Sequence, residues 1–367
     1  MSERIAALQQ AIRDAGADLT VLNPGPSMTY FTGHSFGSYE RLFLLFVPAE
    51  GEPGAIVPLL EENNWARAVP GVQQVWLWDD KDGPQEAAAA ACARFANART
   101  MAVEPLGLRY MELEVLQRHL PNVDLVSADA AIGSLRQFKD AHEAGSIRRA
   151  SEICEAALEE TINQVRVGMT EKQVAAELIG RMLGKGGEGI SFGPIVLGGP
   201  KSALPHGVPD ERPLNAGDFL LIDFGTSHDG YHSDITRTFV VGAQPDDRQR
   251  AVYDAVCAGN AAGCARAVAG ATAHEVHMAA AAPLGAPEFD GYFKHRTGHG
   301  LGVDIHEPPS VIEGNHEPLG AGTVITIEPG LYMEGWGGVR IEDDIWVTDD
   351  GPVSLTSFSR ELRVIGT

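Results

Sequence analysis

Phe219-Leu220-Leu221-Ile222-Asp223-Phe224-Gly225 and Asp234-Ile235-Thr236-Arg237-Thr238-Phe239-Val240 decide the architecture of this chain. Each is an apolar, strand-like run that contains one carboxylate, and Asp and Glu are almost never fully buried unless paired or bound to a cation. Asp229-Gly230 between them is a tight-turn dipeptide, so the runs fold back as a hairpin with Asp223 and Asp234 on neighbouring strands. Further along, Val324-Ile325-Thr326-Ile327-Glu328-Pro329-Gly330 and Gly338-Val339-Arg340-Ile341-Glu342-Asp343 flank the bend Gly335-Trp336-Gly337-Gly338. This second hairpin sets Glu328 and Glu342 on adjacent strands. Four carboxylates facing inward repel one another, so either several are protonated or a cation sits among them. The strands offer only Arg237 and Arg340 as compensation, against those four acids and the neighbouring Asp343 and Asp344.

Outward from the hairpins, helical segments precede each one. An amphipathic stretch over 139–166 ends at Val167-Gly168, and Thr170-Glu171-Lys172-Gln173 opens a second helix in capping-box form. The strand pair 218–226 with 231–241 follows. Helices over 246–268 and 272–282 then precede the pair 323–331 with 339–348. The order helix, helix, strand pair thus occurs twice, over 140–242 and 244–350, and predicts two halves facing each other across a cleft. Residues 133–367 read as one α+β catalytic domain. Residues 1–132 alternate helix-like and strand-like segments, with strands at 17–22, 42–47, 55–57, 72–78 and 100–103, which predicts a separate α/β domain.

The length of 367 residues suits two domains at ~150 residues each. Twenty-eight Lys+Arg against 50 Asp+Glu leave a formal charge of −22. Such a field repels phosphate backbones and anionic bilayers, which excludes nucleic acid and membranes as principal partners. The strongest apolar run, Leu42 to Val47, is too short to span a bilayer. The opening segment Met1 to Gln10 reads as a helix start and not as a signal peptide. Cys92, Cys154, Cys257 and Cys264 lack CxxC spacing and read as structural thiols, with Cys257 and Cys264 on one buried helix face. A reducing, cytoplasmic setting is expected.

Ten of the twelve histidines follow residue 140. His295-Arg296-Thr297-Gly298-His299-Gly300-Leu301-Gly302 carries too many glycines for a helical His pair, and the glycines instead admit close backbone approach around a site. His274 and His277 are separated by Glu275 without HExxH spacing and are expected on a helix surface. Four carboxylates and a histidine suit Mn²⁺, Fe²⁺, Co²⁺ or Zn²⁺, and are too many for one catalytic ion that keeps open positions. Two ions bridged by carboxylates fit better.

These residues, Asp223-x-Gly225, Asp234-x-Thr236-Arg237-Thr238, Gly298-His299-Gly300-Leu301-Gly302 with His306-Glu307-x-Pro309, Glu328-Pro329-Gly330 and Arg340-Ile341-Glu342-Asp343, resemble the pita-bread metallopeptidases. That family includes methionine aminopeptidase, aminopeptidase P, prolidase and the metal-free creatinase. The resemblance implies an N-terminal creatinase-like α/β domain over 1–132 and a pseudo-twofold pita-bread catalytic domain over 133–367. It implies Asp223 as ligand of one metal, Asp234 and Glu342 as bridging ligands, and His299 and Glu328 as ligands of the other. It also implies Glu328 as proton shuttle, His306 at the oxyanion, His206 near the scissile nitrogen, and His295 and Arg340 beside the proline site.

The implied activity is hydrolysis of Xaa-Pro dipeptides by a metal-bridging hydroxide, with aminopeptidase P action on longer peptides as the alternative. Manganese is the first choice of metal, with cobalt or zinc behind it, and a homodimer is the expected assembly. A dipeptide specialist needs a cation for the proline carboxylate. Arg41, at a strand start after the loop Gly33 to Ser38, is proposed as that clamp. A lyase or small-molecule hydrolase on the same fold, and a non-catalytic binding protein, are the competing classes; five intact ligand positions disfavour the second.

Overall fold

In a computed structural model, described over residues 3–37 and 40–366, the chain divides into two units, Met1–Arg136 and Gln137–Thr367. Met1, Ser2, Ser38, Tyr39 and Thr367 lie outside the described residues.

The first unit is a mixed six-stranded sheet built from β1 (Leu19–Leu22), β2 (Leu44–Pro48), β3 (Gly54–Pro58), β4 (Gln74–Trp78), β5 (Thr100–Val103) and β6 (Asp124–Ser127), in the order β4-β3-β2-β1-β5-β6. The apolar run around β2 is continuous because both sheet faces are covered. Leu45 and Val47 join a core with Leu8, Ile12 and Trp65, whereas Leu44 and Phe46 pack with Ala88, Cys92 and Leu116. The covering helices are α1 (Glu3–Asp14), α2 (Pro26–Thr32), α3 (Glu62–Ala68), α4 (Gln85–Arg94), α5 (Tyr110–His119) and α6 (Asp129–Arg136). Of these, α2 begins at Pro26, whose fixed φ and missing N–H suit a first helical turn.

The second unit begins with α7 (Ala141–Ile162) and α8 (Glu171–Gly184), followed by β7 (Ile195–Gly198) and β8 (Phe219–Phe224). A short ribbon of β9 (Ser227–His228) and β10 (Tyr231–His232) then leads to β11 (Ile235–Val241). Asp229 and Gly230 at the ribbon tip both have left-handed backbone, φ 53° and 74°, as a two-residue hairpin requires. Next come α9 (Asp247–Arg266), α10 (Ala273–Ala281), β12 (Gly298–Gly300), β13 (Glu307–Val311), β14 (Val324–Ile327), β15 (Gly330–Met333), β16 (Gly337–Arg340) and β17 (Asp343–Thr348). Finally β18 (Gly351–Ser354) and β19 (Val364–Ile365) close the two larger sheets. Those sheets run β19-β11-β8-β7 and β13-β12-β14-β17-β18.

Each larger sheet carries one helix pair. Leu158, Leu178 and Met182 of α7 and α8 pack on Leu220, Ile222 and Phe239, while Cys264 and Val276 of α9 and α10 pack on Ile325, Ile327, Ile345 and Val347. All four helices start with a capping box, at Asp140/Glu143, Thr170/Gln173, Asp246/Gln249 and Thr272/Glu275. The repeated helix-helix-strand-pair order is therefore matched in space, the pseudo-twofold α+β arrangement of a pita-bread fold.

Candidate metal centre

The second hairpin bends where its two glutamates sit. Pro329 has no N–H to extend the ladder, so β14 stops at Ile327 and β15 resumes at Gly330. The return strand is broken at the matching place, between Arg340 and Asp343. Freed from the ladder, the Glu342 N–H donates to the Thr236 carbonyl at 3.1 Å and the Glu328 N–H to the Thr297 carbonyl at 2.7 Å. The breaks thereby tie the second hairpin to β11 on one side and to the strand entering β12 on the other. His299 sits between Gly298 and Gly300, where a Cβ would collide with the Thr326 and Pro308 carbonyls respectively. Only glycine lets the histidine backbone lie this flat between β13 and β14.

These elements close around a cavity of 340 Å³ lined by Asp223, Asp234, His299, Glu328 and Glu342, together with His206, His295, Arg296, His306 and Arg340. Phe192, Ile195, Pro205 and Ile305 form its apolar wall. One ligand-type atom each from Asp234, His299 and Glu342 lies within 4.8 Å of the others. His299 Nε2 is 3.7 Å from Asp234 Oδ2 and 3.6 Å from Glu328 Oε1. Its Nδ1 donates to the Gly300 carbonyl at 3.1 Å, which leaves the Nε2 lone pair aimed at the carboxylates.

The electrostatics show what the site suits. Burial, and then repulsion from Glu342 and Asp223, pushes the Asp234 carboxyl well above its usual range. Burial, then Glu328 and Asp223, does the same to Glu342, and burial raises Glu328 to about 8. Burial pushes the His299 imidazole down to about 3, so it stays neutral and free to act as a ligand. Among the described residues, Asp223 Oδ1 and Asp234 Oδ1 are buried without a hydrogen-bond partner. An oxygen-rich set with one neutral imidazole, crowded acids and orphaned oxygens fits divalent cations.

The other acids are accounted for separately. Arg237 Nη2 and Arg360 Nε both pair with Asp343, at 2.8 and 2.7 Å, so Asp343 is a neutralised anchor outside the site. Asp344 is fully buried and accepts from the Asp234 N–H at 3.2 Å. Arg340 Nη2 pairs with Asp223, and its Nη1 donates to the Tyr332 hydroxyl at 2.7 Å. Tyr332 in turn lies 2.8 Å from His295 Nε2, whose Nδ1 donates to the Arg296 carbonyl at 2.6 Å.

Two ion pairs, one half-buried and one fully buried, hold the histidine loops. Glu171, fully buried, accepts from Lys201 Nζ at 2.6 Å and from the Gly198 and Asp210 N–H groups at 2.8 and 3.1 Å, which fastens both flanks of the loop carrying His206. Lys139 Nζ meets Glu307 Oε2 at 2.7 Å, and Glu307 Oε1 accepts from the Asp304 N–H at 3.1 Å, next to His306. His306 and His299 stack edge-on with ring centroids 4.3 Å apart.

Arg41, in the first unit, is gripped by Asp80 through Nε at 2.9 Å and Nη2 at 2.7 Å, and by Glu40 at 3.0 Å. The surface placement of His277 is corrected: it is buried, bonded to Thr297 Oγ1 at 2.8 Å and stacked on Phe293. Helix periodicity alone does not reveal that face, because the partners come from the distant loop before β12. Tyr332, Lys139 and Arg296 are absent from the sequence reading of the site. The signal for Tyr332 is the pair of positions Gly330 and Gly338, one on each strand, whose missing side chains make room for its ring.

Comparison with known proteins matches this architecture. Residues 145–349 match the model of metallopeptidase family M24, and residues 4–138 the creatinase/prolidase N-terminal domain. The chain is 33% identical to the putative dipeptidase YkvY of Bacillus subtilis, over 99% of both chains. It is 32% identical to the Xaa-Pro dipeptidase of Lactobacillus helveticus over 98% of both. The crystal structure of prolidase from Thermococcus sibiricus superposes with a TM-score of 0.94 and 32% identity, covering 100% of each chain. Family model, relatives and fold agree with the carboxylate–histidine cavity: the chain belongs to metallopeptidase family M24, with the creatinase/prolidase N-terminal domain in front of its catalytic domain.

Proposed function

We propose that this protein is an Xaa-Pro dipeptidase that cleaves the amide between a first residue and a C-terminal proline. The observation that carries this reading is the convergence of Asp234, His299 and Glu342 in a cavity of 340 Å³. The likeness to a named Xaa-Pro dipeptidase and a named prolidase supports the same substrate class.

Asp223, Asp234, His299, Glu328 and Glu342 would hold two divalent ions, manganese in the first instance. Such ions supply a nucleophile from water at neutral pH and polarise the scissile carbonyl. Proline nitrogen has no N–H and must gain a proton to leave. Glu328 is the group that takes a proton on a carboxylate oxygen and returns it to that nitrogen, with His206 beside it. His306, held below its ordinary value first by burial and then by Arg296, is neutral at pH 7 and donates its N–H to the carbonyl oxygen as charge develops. His295 and Arg340, joined through Tyr332, form the wall against which the proline ring is placed. Four free cysteines support a reducing cytoplasmic setting, and a homodimer is the proposed assembly.

The test is kcat/KM of the Mn²⁺-loaded protein on Ala-Pro and on a matched Ala-Pro-Xaa tripeptide. A strong dipeptide preference is expected. A tripeptide preference would replace the dipeptidase reading with aminopeptidase P.

A further inference from the structure

A dipeptide ending in proline presents a carboxylate directly after the ring, and a site specialised for it must meet that charge. This question rests on the dipeptidase reading above. Two guanidinium groups line the cavity, Arg340 and Arg296. Arg340 is buried and engaged on all three nitrogens: Nε with Thr236 Oγ1 at 3.2 Å, Nη1 with Tyr332, and Nη2 with Asp223, which cancels its charge. Arg41 already has a bidentate carboxylate in Asp80. Of the cavity imidazoles, His295 is held between the Arg296 carbonyl and the Tyr332 hydroxyl, and His299 faces Asp234 and Glu328.

Arg296 differs from both arginines. It is partly exposed, lines the cavity, and its side chain makes one long hydrogen bond, Nη1 to Ser310 Oγ at 3.5 Å. Among the described residues no carboxylate lies within ion-pair distance of it, in a chain where acids outnumber bases 50 to 28. Its backbone is nonetheless fixed. The Arg296 carbonyl accepts from His295 Nδ1, and the next residue, Thr297, donates its N–H to Val311 and accepts from the Glu328 N–H. An unpaired cation thus projects from a rigid base that is tied to Glu328. A planar guanidinium can take both oxygens of a carboxylate in parallel hydrogen bonds.

We propose that Arg296 is the cation that captures the proline carboxylate, and that it sets the preference for dipeptides over longer substrates. A peptide continuing past proline has an uncharged amide at this point and would bury the arginine without a partner.

The test compares Ala-Pro with Ala-Pro amide, which has the same ring but no charge, on Mn²⁺-loaded wild type, Arg296→Gln, Arg296→Lys and Arg41→Ala. Wild type is expected to favour the acid by about 10- to 100-fold in kcat/KM. Arg296→Gln is expected to raise KM for the acid by about that factor, with little change in kcat and none on the amide. Arg296→Lys should fall between them, and Arg41→Ala should leave the acid-to-amide ratio unchanged. Competition by free proline against prolinamide, read as thermal shift on wild type, tests the same charge without turnover and does not depend on how well a variant folds.

Equal losses on acid and amide would overturn the proposal, as would equal protection by proline and prolinamide. A loss confined to Asp-Pro would also overturn it and assign the cation to the first side chain. Wild type that cleaves acid and amide equally would refute the clamp alone. Wild type that cleaves neither would refute the dipeptidase reading, and the clamp with it.

Discussion

Thr236 holds Glu342 twice: its hydroxyl donates to Glu342 Oε2 at 2.7 Å, and its carbonyl accepts the Glu342 N–H at 3.1 Å. The backbone bond fixes where the broken strand crosses to β11, and the hydroxyl fixes the carboxylate rotamer. Arg237 adds to this grip from the next position, donating through Nη1 to the Glu342 carbonyl at 2.6 Å.

Removing only the hydroxyl separates these two functions. Thr236→Val keeps the strand shape and the backbone bond but leaves Glu342 Oε2 without its donor and Arg340 Nε without its acceptor. Loss of a hydrogen bond to a metal ligand costs on the order of 10- to 100-fold in metal affinity or activity. Mn²⁺ titration should show that loss, with the far-UV spectrum unchanged and Thr236→Ser restoring tight binding. Unaltered affinity in Thr236→Val would show that the carboxylate needs no second support.

The pair Lys139–Glu307 makes a stability prediction. Both side chains are almost fully buried, and removing one partner from a buried pair strands the other charge at about 3–5 kcal/mol. Lys139→Met should lower the denaturant midpoint accordingly and reduce kcat, because Glu307 also braces the loop before His306. The double variant Lys139→Met/Glu307→Gln leaves no buried charge and should recover much of the stability. It should not recover all of the activity, since the bond to Asp304 changes. A double variant as unstable as the single one would refute a charge-based account.

The crowded carboxylates predict a pH slope that depends on metal. Asp234, Glu328 and Glu342 have folded values raised above their unfolded ones, Glu328 to about 8. Between those values the native state holds protons that the unfolded state has released, so stability falls as pH rises. The buried histidines have the opposite sign, but above pH ~7 imidazoles are largely neutral in both states and drop out. With chelator, Tm should therefore decrease from pH 7 to pH 8, below the range in which the thiols of the unfolded chain ionise. With saturating Mn²⁺, which replaces those protons, the decrease should be much smaller. A chelator-independent slope would place its origin elsewhere.

Much of this was legible in the sequence for one physical reason: a carboxylate inside an apolar strand is costly, and that cost marks a position. Asp223 and Asp234 were found this way, and the turn at Asp229-Gly230 gave their pairing. Glu328 and Glu342 followed by the same logic, although the reading gave two unbroken strands where the structure has matched interruptions. The residues that hold the ligands leave no comparable mark. Lys139 and Glu307 are 168 positions apart, and each alone looks like a surface charge. Arg296 was visible in its motif, but only the three-dimensional partners of Arg340 and Arg41 show which arginine lacks a carboxylate.

With the proposed metals held by Glu328 and Glu342, the matched interruptions at Glu328-Pro329 and Ile341-Glu342 would make metal affinity a report on how the two halves of the catalytic unit dock. Each hairpin could satisfy its own backbone bonds if the two halves of the catalytic unit docked one residue out of register. Such a shift would turn Glu342 away from Thr236 and the opposing carboxylates, because neighbouring strand residues face opposite sides. The misdocked chain would keep its strands and helices by circular dichroism yet bind no metal. The rate at which a refolding chain gains metal affinity therefore times the docking of the halves, a step that secondary-structure signals do not report.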